Sequence, residues 1–317
     1  MSVPGEAPAA NCARSTCYVP DTACVLGLEN CEHLTRAEPE LSGSGAADGS
    51  ALPWSGSALG LSDLFPLAAV GRPHVVGVVG AAGAGKTTLL AAHWIGARRG
   101  IGEFGRMFAG SYSLSGWHQI ARHLQWVPWG SGFPPHTSAV SERLPSLLHV
   151  AMNTVDRTPK HVFYTDAPGE WFSRWAEEPA EVPGAQWVAD QSDAFVILSD
   201  SHALSGPERG VARSGYESLA SQLATAAKGR PVIPVLTKAD IPVPAPIAEF
   251  VTNLNQRLFS KETVRVSAKT DVYDAITKPI DLGVESALEV RYIDSEHGVG
   301  RWAEQLAPRI NPRRGLR

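Results

Sequence analysis

The chain has 317 residues, 44% of them hydrophobic and 19% charged, with a formal net charge of −4. That length holds one large domain or two small ones with a genuine core, and the slightly acidic balance gives no basis for general nucleic-acid binding. No run approaches the roughly 18 uninterrupted apolar residues of a membrane span, and MSVPGEAPAANCAR at the start lacks the charged-then-apolar pattern of a secretory signal, so a cytoplasmic protein is expected.

All four cysteines, Cys12, Cys17, Cys24 and Cys31, fall near the start of the chain. A small zinc site is the first reading of this cluster, because four thiolates suit Zn²⁺, and His33 can replace one of them. The spacing lacks paired C-x2-C knuckles, so free thiols on a mobile tail or a disulfide pair stand as rival readings. Residues 38–60 are rich in Gly, Ser and Ala, so 38–64 reads as a flexible linker whose end, from Leu61 to Leu67, is expected to pack on the edge of the next domain. The expected layout is a Cys-bearing segment over 1–37, the linker, and one α/β domain over 65–317. In that domain a mostly parallel sheet lies between helices, and ligand binds at the carboxyl ends of the strands.

The domain is organised around HVVGVVGAAGAGKTTLLAAHWI, residues 74–95. A β-branched run over 75–79 predicts a buried strand, and LLAA after the turn is good helix material. Between them Gly80, Ala81, Ala82, Gly83, Ala84, Gly85, Lys86 and Thr87 fit G-x-x-x-x-G-K-[ST] without a gap. The glycines let backbone wrap a polyphosphate, and the N–H groups and the positive helix end face the anion. Lys86 suits β- and γ-phosphates, and Thr87, followed by Thr88, offers a hydroxyl to Mg²⁺. The rival reading is an ordinary strand-to-helix turn.

Residues 100–136 form an insert longer than such a domain needs, with an amphipathic helix over 116–126 and Trp126 and Trp129 in it. It reads equally as a partner-facing surface or as packing. Thr137 is the first choice for a second Mg²⁺ hydroxyl, with Ser138 and Ser141 as close rivals. Strands are expected over 147–152 and 161–165.

The second of these delivers Asp166-Ala167-Pro168-Gly169-Glu170. A strand-end Asp three residues before a Gly suits a γ-phosphate sensor: the carboxylate holds a water of Mg²⁺ and the Gly169 N–H reaches the phosphate. Alone, the same residues make a simple turn. Further strands are expected over 193–198 and 231–236, with a helix over 218–227 between them. The last strand leads to Thr237-Lys238-Ala239-Asp240, and a short strand at 264–266 leads to Ser267-Ala268-Lys269. A carboxylate at Asp240 can accept from guanine N1–H and its 2-amino group, a pair of donors that adenine lacks. The Lys238 stem can cover the base, and the Ala268 N–H can donate to O6. The rival for Asp240 is a helix N-cap. A closing helix is expected over 296–308, and the basic tail over 309–317 reads as a solvated end.

The order G-x-x-x-x-G-K-T, D-x-x-G, T-K-x-D, S-A-K over 75–269 resembles the translation-factor-related, Ras-like branch of P-loop GTPases. More narrowly, GAAGAGKTTLL, the D-A-P-G-E-W turn and the cysteine-bearing start resemble the bacterial double-GTPase proteins of conflict systems. The resemblance implies GTP/GDP and Mg²⁺ as ligands and a switch that hydrolyses GTP in bacterial defence. It also implies a protein partner, such as a second GTPase or an effector. Thr237 stands where Asn is commoner, and Glu170 stands where Ras-like enzymes carry a water-orienting Gln. Glu170 can orient water or act as base, yet its charge opposes the γ-phosphate, so slow or partner-dependent hydrolysis is expected. The alternative is a scaffold that holds GTP without turnover. Arg143 and Arg174 are candidates in sequence only for an activating Arg.

Overall fold

The computed structural model describes residues 10–12, 34–36, 58–64, 67, 72–100, 108–124, 145–153, 159–271 and 273–289. The chain falls into two compact units, Met1–Ala51 and Leu52–Arg317. In the first unit, β1 (Ala10–Cys12) pairs antiparallel with β2 (Leu34–Arg36), Cys12 opposite Leu34. Cys17, Cys24, Cys31 and His33, Thr137, Ser138, Ser141 and Arg143, Trp126 and Trp129, and the segment 296–317 lie outside the described residues.

The second unit is built on β3 (Pro73–Gly80), β4 (Phe108–Gly110), β5 (Ser146–Asn153), β6 (Pro159–Asp166), β7 (Ala194–Asp200), β8 (Val232–Thr237) and β9 (Val264–Arg265). They form one sheet in the order β4-β5-β6-β3-β7-β8-β9. β6, β3, β7, β8 and β9 run parallel, β5 runs against β6, and β4 runs against β5. The apolar run expected around Val75 is the central strand, and all eight of its residues are buried. A strand covered on both faces needs this unbroken hydrophobic pattern.

Alternate residues feed two opposite cores. On one face Val76, Val78, Val196, Leu198 and Val235 pack with α1 (Lys86–Arg98), α2 (Leu114–Ala121) and α8 (Tyr273–Glu289). On the other, Val79, Phe195, Ile197 and Leu236 pack with α3 (Gly169–Glu177), α4 (Pro183–Gln191), α6 (Arg209–Ala227) and α7 (Ala245–Phe259). The short α5 (Ser201–Ser205) follows β7. This is the three-layer α/β arrangement with a mostly parallel sheet that the motif order implied.

Three details refine the sequence reading. Leu59 and Leu64, inside the stretch read as linker, are fully buried against Val75, Leu147 and Phe163, and Leu59 exchanges two backbone hydrogen bonds with Leu147 (2.8 and 2.9 Å). The described part of the insert holds β4 and α2, and Trp117 of α2 stacks on Trp94 of α1 with centroids 5.0 Å apart, so this part is packing. Finally, α8 was not foreseen. It carries Pro279 in its interior, yet Ile276, Ile280, Val284 and Ala287 recur at helical spacing and are buried.

One arginine secures the second core. Arg230 donates to the carbonyl oxygens of Ala189, Asp190 and Ser192 at the end of α4 and of Ala226 and Ala227 at the end of α6, at 2.5–3.2 Å. Its guanidinium also lies 4.9 Å from the Phe195 ring centroid. It therefore satisfies carbonyls at two helix ends at once and opposes both dipoles. Arg230→Ala is expected to cost about 2–4 kcal/mol in a urea denaturation, and Arg230→Lys to recover less than half, because an ammonium cannot span five acceptors.

Candidate functional site

The loop between β3 and α1 needs its glycines where the backbone turns. Gly83 and Gly85 have φ of 72° and 90°, in the left-handed region. Gly85 is the N-cap of α1, so the first N–H groups of that helix open onto the loop. Lys86, in the first turn, is buried at 6% exposure. Its ammonium donates to the carbonyl oxygens of Gly80 (3.0 Å) and Ala81 (3.1 Å) and lies 5.9 Å from the Phe172 ring centroid. Burial pushes its pKa from 10.5 down to about 8, against the opposing pull of the Asp166 and Glu170 carboxylates.

The next residue meets the end of β6. The Thr87 hydroxyl donates to Asp166 Oδ1 at 2.8 Å. This juxtaposition brings together the two described residues that the sequence assigned to Mg²⁺. A hydroxyl and a carboxylate oxygen beside a turn of backbone N–H groups would suit a hard divalent cation. Among the described residues there is no cluster of three or more His, Cys, Asp or Glu arranged to hold a metal by itself.

Gly169 begins α3 directly after the Asp166 turn and rests against the glycine-rich loop. A Cβ there would lie 2.2 Å from the Ala82 nitrogen and 2.4 Å from the Ala81 carbonyl carbon. Contact this close between two backbones is possible only without a side chain. Glu170 follows in the first turn of α3, exposed and facing the same cleft. Arg174, one turn further, pairs with Glu181 at 3.5 Å on the surface, both side chains more than half exposed, and is not among the cleft residues.

At the opposite end, the Thr237 hydroxyl lies 2.8 Å from Ala84 O and 3.1 Å from Ser199 O, where its one proton is shared. Thr237 thus ties the end of β8 to the glycine-rich loop and to β7. Asp240 is exposed and accepts from the Ser267 hydroxyl at 2.6 Å. That bond, with the Lys269 and Lys238 charges, holds its carboxyl below the usual carboxylate range. Ser267 is fixed in turn by its N–H to Asp271 Oδ2 (2.7 Å), and its oxygen accepts from Lys269 N (3.2 Å). The helix that follows, α7, starts at Ala245 with Pro244 as its N-cap, so Asp240 does not cap it.

These four separate segments line a single cleft of about 380 Å³. Ala82, Gly83, Gly85, Lys86, Thr87 and Thr88 come from the first, Gly169 and Glu170 from the second, Thr237, Lys238 and Asp240 from the third, and Ser267, Ala268 and Lys269 from the fourth. Leu89, Ile241, Val266 and Ile276 add apolar wall. Gly80, Ala81 and Ala84 stand behind the wall as backbone support, and Asp166 reaches it through Thr87. Residues 74–278, about two thirds of the chain, match the family described as Double-GTPase 2.

The chain belongs to the Double-GTPase 2 family. The matched span runs from β3 into α8 and so contains every wall of the cleft. No curated protein matches the chain in sequence. A family of GTPases implies guanine nucleotide as the ligand, and no described helix of this double-GTPase is long and apolar enough to cross a membrane.

The sequence reading missed two contributors. Asp200, at the end of β7, forms an ion pair with Lys238 at 2.7 Å. Phe172 places its ring under the Lys86 ammonium. A strand-end Asp and a helical Phe carry no motif. Only the cross-strand pairing of Asp200 with Thr237 reveals the first.

Proposed function

We propose that this double-GTPase binds GTP in the cleft and hydrolyses it to GDP, working as a switch within a multi-component bacterial defence system. What carries the reading is the convergence of four motif segments on one cleft, with the Thr87 hydroxyl bonded to Asp166 at one end and Asp240 facing outward at the other. The loop amides over 81–87 and Lys86 take the phosphates. Thr87 and Asp166, with Thr137 as a further hydroxyl, would hold Mg²⁺, which supplies positive charge to β- and γ-phosphate oxygens when bound. Asp240 accepts from guanine N1–H and the 2-amino group, Lys238 covers the base, and the Ala268 N–H serves O6.

In the reaction, water oxygen attacks the γ-phosphorus, the bond to the β-phosphate oxygen breaks, and the water protons leave with inorganic phosphate. Lys86 and the loop amides stabilise the charge that moves to the leaving oxygen. Glu170, one residue after the Gly169 contact, orients the attacking water. A second GTPase or an effector reads the nucleotide state. The exposed carboxylate of Glu170 beside the phosphate end favours one second reading, a scaffold that keeps GTP without turnover. Single-turnover hydrolysis separates the two, since a scaffold leaves GTP intact for hours.

The binding half is tested by denaturing freshly purified protein, identifying the released nucleotide, and titrating GTP, GDP and ATP. Guanine nucleotide is expected in the released fraction, with at least about a hundredfold preference for GDP over ATP. Asp240→Asn is expected to lower GDP affinity by about two orders of magnitude, because it replaces one of two acceptor oxygens with a donor. An unchanged preference in that variant would end the assignment of Asp240 to the base.

A further inference from the structure

We infer that Asp200 is a positioning residue for base recognition, acting through Lys238. The inference rests on the proposed guanine reading and adds to it a residue that no motif contains.

Asp200 is the last residue of β7 and stands opposite Thr237, the last residue of β8, in the parallel pairing. Its two carboxylate oxygens have different partners. Oδ1 accepts from the His202 N–H at 2.9 Å and caps α5, while Oδ2 takes the Lys238 ammonium at 2.7 Å. The carboxylate is therefore oriented by the helix end before it meets the lysine. Its side chain is 13% exposed and that of Lys238 is 37% exposed.

Lys238 is unusual in its backbone as well. Its φ is +52°, in the left-handed region that residues with a Cβ avoid. The conformation persists because its neighbours fix it: Ala239 N donates to Val266 O at 3.0 Å, and Ile241 N donates to Lys238 O at 2.9 Å. The residue is thus pinned at the backbone by the base-facing loop and at the ammonium by Asp200. A lysine stem is otherwise the most freely rotating part of such a wall, and fixing it in advance removes an ordering cost from binding. With both ends held, the four-carbon stem lies along the cleft wall beside Asp240 and Lys269, where a flat base would stack. The pair is partly buried, so its effect on the fold is read separately, from the thermal midpoint, and its effect on the ligand from binding.

The test is a double-mutant cycle on the full chain, with fluorescent GDP as the probe. Asp200→Asn keeps the cap of α5, because Asn is an equally good N-cap, and removes the charge that holds the ammonium. Asp200→Asn is expected to weaken GDP binding about 5–10-fold when Lys238 is present and less than about 2-fold in a Lys238→Met background. The thermal midpoint should stay within about 2 °C of wild type. Equal losses in the two backgrounds would mean that Asp200 acts on the fold rather than through Lys238, and no loss in either would overturn the inference. A wild-type chain that binds no GDP would remove the guanine reading and this inference with it, an outcome distinct from intact binding that ignores Asp200.

Discussion

Replacing Lys86 by methionine is expected to abolish guanine-nucleotide binding and, at the same time, to make the free protein more stable. The first effect follows from losing a buried cation at the end of the cleft proposed for the phosphates, and a drop of at least about a thousandfold in GDP affinity is expected. The second follows from the cost of keeping that cation. Lys86 is 6% exposed, and burial lowers its pKa from 10.5 to about 8. Because the folded value lies below the unfolded one, the protonated folded state is penalised by about 3 kcal/mol. That penalty is complete below pH 8. It fades as pH rises from about 8 to 10.5, where the unfolded chain holds more protons than the folded one. Methionine keeps the volume without the charge, so the variant should gain about 1–3 kcal/mol at neutral pH in urea denaturation. It should also lack the rise in stability above pH 8. In the wild type, nucleotide phosphates favour the ammonium, so affinity should fall as pH climbs through 8. Unchanged GDP binding in Lys86→Met would remove the lysine from the site.

A second large effect is expected from a single methyl group. Gly169→Ala sets a Cβ 2.2–2.4 Å from backbone atoms of Ala81 and Ala82. Backbone cannot rotate away as a side chain can, so α3 or the glycine-rich loop must shift. The expected outcome is a loss of at least about thirtyfold in GDP affinity and about 1–3 kcal/mol in stability. Gly210→Ala in α6, where a Cβ meets nothing within 4 Å, is the control. It should bind normally and be neutral or slightly more stable, because alanine is the better helix former. If the two variants bind GDP equally well, the contact between α3 and the loop has no part in the site.

Much of the fold was legible because its strands are short apolar runs bounded by turn residues. The strands expected at 147–152 and 161–165 lie within β5 and β6, and those expected at 193–198 and 231–236 overlap β7 and β8 but start one residue early. The cleft was legible in pieces, since each motif is contiguous and its chemistry local. What sequence could not supply was contact between distant segments. Thr87 and Asp166 were assigned to one ion separately, and only the fold brings their oxygens to 2.8 Å. Asp200 was invisible for the same reason. α8 escaped because Pro279 reads as a stop signal, and the tertiary contacts of Ile276, Ile280, Val284 and Ala287 outweigh the one missing hydrogen bond. Leu59 was hidden by the small, polar residues around it, although one buried leucine with two backbone bonds is enough to anchor that segment to β5.

The Thr237 hydroxyl, bonded to Ala84 O, joins the end of the cleft proposed for the base to the end proposed for the phosphates through a single side chain. Two half-sites held at a fixed separation act as a chelate: a ligand that fits one half meets the other at a high effective concentration. Guanosine and inorganic triphosphate offered as separate molecules should each bind far more weakly than the intact nucleotide, whose affinity is the product of theirs scaled by that effective concentration. The protein would then gauge the length of its ligand as well as the identity of its base.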